Sequence, residues 1–329
     1  RKALPGPRLA RSFLRSNFKK IPQRTRDEGL FGRLDQENHP SKLKQASMQP
    51  SIEIRQAEKS DTAEIAEFLE RASLVHRHLD WQGVLDWLPQ QPFLLMTQSG
   101  HLQAMLTCPP DFPGVAWIRC FACERSGNAS LAWTNLFQTA CRLPIMKGFS
   151  LFSVGLNDWF ADLLYETEFE NFQNIVVLQW YPGLANKKKK TDSHFIRPME
   201  INDLEEVAAL DQIAFESMWV NPADKIRMAY IQAEHASVAE LDGRIIAYEM
   251  TTANQFSAHL ARIAVHPHLQ KQHIASDMIL EMLEYFLQKD VHQITVNTQN
   301  NNQASLALYK SLGFKLTGES FPVFRYFIS

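Results

Sequence analysis

The chain has no run of the roughly eighteen uninterrupted apolar residues that a membrane helix needs, so no segment reads as a transmembrane span and no membrane partner is expected. A zinc signature is missing too. Of four cysteines, only Cys120 and Cys123 form a C-x-x-C, and neither a second pair nor a spaced His pair follows. These two fall in a strand-like run, Val115–Cys123, where residues three apart point to opposite faces. They read as reduced core thiols, which points to a cytoplasmic protein with no metal. Positive charge is scarce outside the leader. The formal net charge is −2, yet residues 1–47 hold twelve Lys/Arg against four Asp/Glu, so the remainder is distinctly acidic. Such a body lacks the clustered cations that displace phosphate counterions, which excludes a broad nucleic-acid surface.

What is present is an ordinary globular composition, 45% hydrophobic and 21% charged, over 329 residues. That length predicts two domains. The basic stretch 1–47 is expected to be a disordered extension, with a targeting or nucleic-acid-binding tail as the alternative. The rest contains one pattern twice. Ile54-Arg55 and Ile196-Arg197 each lead to an Asp, Asp61 and Asp203, and then to Glu64-Ile65-Ala66 and Glu206-Val207-Ala208. Ser99-Gly100-His101-Leu102 repeats as Asp242-Gly243-Arg244-Ile245, Ala104 as Ala247, and Arg119 as Arg262. The order and near-constant offset predict a duplication.

Both copies predict the same elements. A strand (Ile52–Gln56; Phe195–Met199) leads to a helix opened by Ser60-Asp61 or Asn202-Asp203, which can cap free N–H groups. A hairpin follows (Phe93–Thr97 with Leu102–Thr107; Ser237–Glu240 with Ile245–Thr251), then a third strand (Ala116–Ala122; His259–Val265). Helix, strand (Leu151–Gly155; Ile294–Asn297), helix and closing strand complete each copy. After His273, the positions Ile274, Met278, Ile279, Met282, Leu283, Phe286 and Leu287 form one apolar helical stripe. The Lys-rich segment 187–193 reads as the linker between a domain at 48–186 and one at 194–329.

The chemistry sits in the second copy. Ile263-Ala264-Val265 form a strand end whose free backbone edge can bond amides. After His266-Pro267, the run Gln270-Lys271-Gln272-His273-Ile274-Ala275 enters the amphipathic helix, whose N-terminal N–H groups can receive a diphosphate. Further on stands Asn302-x-x-Ser305-x-x-Leu308-Tyr309-x-x-x-Gly313-Phe314. Together these resemble the two signatures of the GNAT superfamily of acetyl-CoA-dependent N-acetyltransferases, in its tandem-domain arrangement with a degenerate first unit. The resemblance implies an α/β fold of two GNAT-like units, each a mixed, mostly antiparallel sheet flanked by helices. It also implies acetyl transfer from acetyl-CoA to a primary amine, of a small molecule or a protein, directly in a ternary complex. Its coenzyme residues would be Ile263, Ala264, Val265, Gln270 to Ala275 and Asn302, and Tyr309 would be the acid that protonates the departing thiolate.

His273 stands where the family has glycine; histidine is enriched in the left-handed conformation that such a loop needs. The general base is open between His259, placed by alternation on the face of Ile263 and Val265, and Glu249 in the preceding strand. An imidazole base predicts an acidic limb near roughly pH 6–7. Arg119 and Arg262 are expected to form structural ion pairs. In the first copy, Gly127-Asn128-Ala129-Ser130 replaces the phosphate loop and Asp158 replaces Asn302, so that half resembles a GNAT unit without turnover, acting as a wall in a monomer. The rival reading is an acyl-CoA-binding pseudoenzyme serving as a sensor or partner-binding module.

Overall fold

The computed structural model describes residues 51–183 and 195–329; the leader and the whole of the expected linker, 187–193, lie outside the described residues. The first unit runs β1 (Ile52–Gln56), α1 (Thr62–Arg71), β2 (Leu74–Arg77), β3 (Phe93–Gln98), β4 (His101–Thr107), β5 (Pro110–Phe112), β6 (Val115–Trp117), β7 (Cys120–Cys123), α2 (Ala129–Arg142), β8 (Ser150–Val154), α3 (Asp158–Glu166) and β9 (Glu170–Trp180). The second runs β10 (Phe195–Pro198), α4 (Leu204–Ala214), α5 (Ala223–Gln232), β11 (His235–Leu241), β12 (Arg244–Ala253), β13 (Ser257–Val265), α6 (Ile274–Gln288), β14 (Gln293–Gln299), α7 (Gln303–Ser311) and β15 (Lys315–Phe327). Among the described residues no helix is long and apolar enough to cross a membrane.

The duplication is visible in atoms. Arg55 meets Asp61 through two hydrogen bonds of 2.7 and 2.8 Å, and Arg197 meets Asp203 through two of 2.7 and 2.9 Å. The same aspartates accept the backbone N–H of Glu58 and Glu200, both at 2.7 Å. Each fork therefore ties a first strand to the N-terminus of the helix that follows it. The hairpin turns match as well: Ser99-Gly100 and Asp242-Gly243 all take positive φ, the geometry that suits the twist of a two-residue hairpin.

The strands form a five-stranded sheet, β1-β3-β4-β7-β2, and a ten-stranded sheet, β10-β11-β12-β13-β14-β9-β15-β8-β6-β5. In the larger sheet the last strand of each unit is exchanged. β9 lies between β14 and β15 of the second unit, and β15 lies between β9 and β8 of the first. The cores follow the exchange. Leu178 and Trp180 of β9 pack with Ile279, Met282 and Phe286 on the stripe of α6. Phe324 and Ile328, at the C-terminal end, pack with Trp133, Phe160 and Leu164 of the first unit.

Two details depart from the sequence expectation. The run Val115–Cys123 is not one strand, because it changes sheets at Ile118-Arg119. The Ile118 N–H goes to Phe152 in β8, and the Arg119 N–H goes to Thr107 in β4. Cys120 and Cys123 do point into different cores, and all four cysteines are free. The second departure is β2, which pairs antiparallel with β7.

The exchange makes a prediction. Phe324 is fully buried, and its truncation to alanine should cost about 3–5 kcal/mol. Although Phe324 belongs to the last strand of the chain, Phe324→Ala should lower one common urea midpoint seen by both tryptophan fluorescence and far-ultraviolet circular dichroism. Two separate transitions would contradict the shared sheet.

Candidate active site

A groove opens where β13 and β14 part. Their parallel pairing runs from Ser257↔Gln293 to Leu260↔Val296 and stops. Beyond it, Ile263, Ala264 and Val265 keep their partners in β12, and their other edge faces the groove. The loop that follows crosses to α6 through two left-handed residues, Lys271 (φ 63°) and His273 (φ 67°). His273 is the N-cap of α6 and takes the conformation that a glycine would supply. The first N–H groups of a helix have no partner within it, and here they open on the groove.

The groove has a volume of about 800 Å³. Ile263, Ala264, Val265, Gln270, Lys271, His273, Ile274 and Ala275 line one wall, with Asn302, Ser305 and Tyr309 across from them. Of the residues expected to hold coenzyme, only Gln272 lies off the lining; it is exposed. Asn302 also caps α7, its side-chain oxygen accepting the Ser305 N–H at 3.0 Å. An unpaired strand edge leading to a left-handed loop and an open helix N-terminus fits a long amide-bearing arm ending in a diphosphate.

A second cavity of about 520 Å³ lies between the two units. Its floor is Leu260–Ile263 and Val296–Gln299. One side is the segment from Phe215 to Asn221, and the other is His78–Trp81, Trp117 and Arg119 of the first unit. Tyr309, Asn302, Ile263 and Trp219 line both cavities. Tyr309 is buried at the end of α7, and that burial raises its phenol above the ordinary value and keeps it neutral.

Buried ion pairs shape the second cavity. Arg262 bonds both oxygens of Asp211 in α4 at 2.8 Å, donates to the carbonyl of Trp219 and stacks on Phe215 at 3.6 Å. Asp211 also accepts the Asn221 N–H and the hydroxyl of Tyr248. This cluster pins the segment from Phe215 to Asn221. On the other side Arg119 bridges Asp80 (2.7 Å) and Asp111 (2.6 Å), Asp111 also receives Lys225 of the second unit at 2.6 Å, and Trp87 lies under the guanidinium. Asp211 was detectable in the sequence as a lone acid on the apolar face of α4. Asp80, Asp111 and Lys225 carried no such signal.

The two candidate bases separate. Glu249 is fully buried, accepts from His235, Ser237 and Thr251, and lines neither cavity. Its hydrogen bond and charge outweigh burial and raise the pKa of His235. His259 lines the second cavity, its Nδ1 at 2.9 Å from the hydroxyl of Thr295. The expected shared face with Ile263 and Val265 is corrected. The register of β12 with β13 slips between Met250 and Thr251, leaving Ala261 extra, and such a bulge inverts the alternation. His259 therefore falls on the face of Arg262 and Ala264. Burial lowers its imidazole to about 4.

The corresponding edge in the first unit is closed. Cys120-Phe121-Ala122 stand at the offset that relates Arg119 to Arg262, so they correspond to Ile263-Ala264-Val265. They are paired with β2 through Arg77↔Cys120, His76↔Phe121 and Val75↔Ala122. His76 is buried against Phe160 and reaches the hydroxyl of Ser153. A strand of the chain itself thus lies along the edge, and its continuation, His78–Trp81, forms the wall of the cavity between the units. Tyr165 is exposed and packs edge-on against Phe324.

Residues 203–314 match the model of the acetyltransferase (GNAT) family. They are a GNAT domain. Both units share the GNAT fold with solved structures. A GCN5-related N-acetyltransferase of Sphaerobacter thermophilus superposes with a TM-score of 0.55 at 12% identity, covering 84% of this chain and 96% of that one. A tandem GNAT protein from the clavulanic acid biosynthesis pathway gives 0.55 at 12%, covering 85% and 99%. A probable N-acyltransferase of Enterococcus faecalis gives 0.64 at 8%, covering 84% and 72%. No curated protein matches the sequence. At these identities the likeness is one of fold, and it places this chain among tandem GNAT architectures.

The loop of the GNAT domain makes a stability prediction. A left-handed backbone costs an ordinary L-residue roughly 1–2 kcal/mol, less for histidine, and glycine nothing. His273→Gly should therefore hold or raise the urea midpoint, whereas β-branched His273→Val should lower it. Equal midpoints for the two variants would contradict the left-handed assignment.

Proposed function

We propose that this protein transfers the acetyl group of acetyl-CoA directly to a primary amine in a ternary complex, with coenzyme in the groove of the second unit and amine in the cavity between units. The observation that carries this reading is Tyr309, one side chain that lines both cavities. An acid at that junction reaches both the leaving sulfur and the incoming amine.

When bound, acetyl-CoA supplies an activated thioester. The free edge of Ile263–Val265 would bond the pantetheine amides, with a backbone N–H near Val265 polarising the thioester carbonyl. The N-terminus of α6, with Lys271 and His273 beside it, would hold the diphosphate. Tyr309 is kept protonated by burial and would donate its proton to the departing thiolate. His259 is the base we propose in preference to Glu249, because it lines the amine cavity and Glu249 does not. Tyr309 at the junction of the two cavities favours this reading over the acyl-CoA-binding pseudoenzyme.

Tyr309→Phe should lower kcat by about 10²-fold or more while leaving the acetyl-CoA KM within a few-fold, as expected for a lost proton donor. A kcat equal to that of the wild type would defeat the assignment. The pH profile tests His259. A lowered pKa favours the neutral, proton-accepting form, so His259 stays competent until pH falls toward about 4. The limb at roughly pH 6–7 expected of an unperturbed imidazole should therefore be absent from kcat/KM. Any limb above neutrality should shift when the substrate amine is replaced by one of different pKa. A limb near pH 6–7 that vanishes in His259→Ala would show an imidazole in ordinary solvent instead.

A further inference from the structure

The wall of the cavity between the units identifies the kind of amine it accepts. Its titratable groups cancel. Arg119 and Lys225 are matched by Asp80 and Asp111, and Arg262 is matched by Asp211 behind it. His78 is held well below its usual pKa by burial and by the Arg119 and Lys225 charges, and burial does the same to His259, so both rings are neutral. Every cation on the wall is thus engaged by a carboxylate at 2.6–2.8 Å. A phosphate or carboxylate on the acceptor would compete with these carboxylates for cations already neutralised, and a second ammonium group would compete with the cations for the carboxylates. Breaking a buried pair leaves an uncompensated charge, the costliest outcome in such a site.

Between the ion pairs the wall carries aromatic rings beside neutral polar side chains such as Gln232, Thr252 and Asn297. Trp81 and Trp117 come from the first unit, Phe215 and Trp219 from the second, and Trp117 meets Trp219 with ring centroids 5.3 Å apart. Trp81, Phe215 and Trp219 keep part of their surface uncovered. Flat faces of this kind favour flat apolar partners, by burial and by offset or edge-on stacking. A volume of about 520 Å³ is that of a small-molecule site.

We propose that the acceptor is a small primary amine carried on a flat, uncharged, aromatic body that packs against Trp81 of the first unit and Trp219 of the second. This rests on the acetyl-transfer reading and adds the substrate class. The cancelled charge offers no surplus counter-charge to polyamines, to amino acids with a free carboxylate or to phosphorylated amino sugars, and so favours the aromatic amine over them. Trp81 makes the first unit part of the specificity site.

The test uses the full chain with acetyl-CoA and four amines: phenethylamine, tryptamine, spermidine and glutamate. Coenzyme binding is measured separately by calorimetry. The two aromatic amines should show kcat/KM at least tenfold above the other two. Trp81→Ala should raise KM for tryptamine about tenfold with the acetyl-CoA Kd unchanged, and Trp81→Phe should restore most of it. A preference for spermidine or glutamate would overturn the proposal, as would an unaltered KM in Trp81→Ala. If acetyl-CoA binds and neither aromatic amine is a substrate, the acceptor class falls and the coenzyme assignment stands. If acetyl-CoA does not bind, the acetyl-transfer reading itself falls.

Discussion

The order β8-β15-β9-β14 is the constraint on which the rest of the molecule depends. Strands from the two units alternate there, so neither unit completes its sheet without the other. The consequence reaches the active site. β14 carries Val296–Gln299 into the floor of the cavity between the units, and it is held on one edge by β13 and on the other by β9. The parting of β13 from β14 that opens the groove is therefore stabilised by a strand from the first unit. Covalent linkage keeps that strand at high effective concentration, which is the advantage of fusing two copies over assembling them from separate chains.

Within this frame the two units diverged at one edge. In the second, the backbone of Ile263–Val265 is left open beside a left-handed loop. In the first, the equivalent backbone is bonded to β2, whose continuation delivers His78–Trp81 to the wall of the other unit's cavity. The same local change closes one groove and builds one side of the cavity between the units. The arginine at the same offset in each unit serves both arrangements: Arg262 fixes Phe215–Asn221 through Asp211, and Arg119 fixes the opposite wall through Asp80 and Asp111.

The sequence disclosed what is local and left obscure what depends on pairing. The repeat was legible because its Arg–Asp forks and hairpin turns are short-range contacts, made the same way twice. The gathering of these residues around one groove was legible for the same reason: strand end, loop and helix start are contiguous, and α7 brings Asn302 and Tyr309 opposite by one further element. The strand exchange was not, because β9 and β15 have equivalent places in the two copies and nothing in either says which edge it joins. β2 is four residues long, too short for a periodicity to emerge. The face of His259 was misjudged because one extra residue, Ala261, inverts an alternation that the sequence reads as unbroken. The partners of Arg119 come from three separate segments, at Asp80, Trp87 and Asp111, and only the fold assembles them.

Two copies of one fold should yield one coenzyme site, because β2 occupies in the first unit the edge left open in the second. Isothermal titration calorimetry of the full chain with acetyl-CoA measures this directly. One coenzyme should bind per chain. A stoichiometry of two would show that the first unit's groove is open after all and would contradict this.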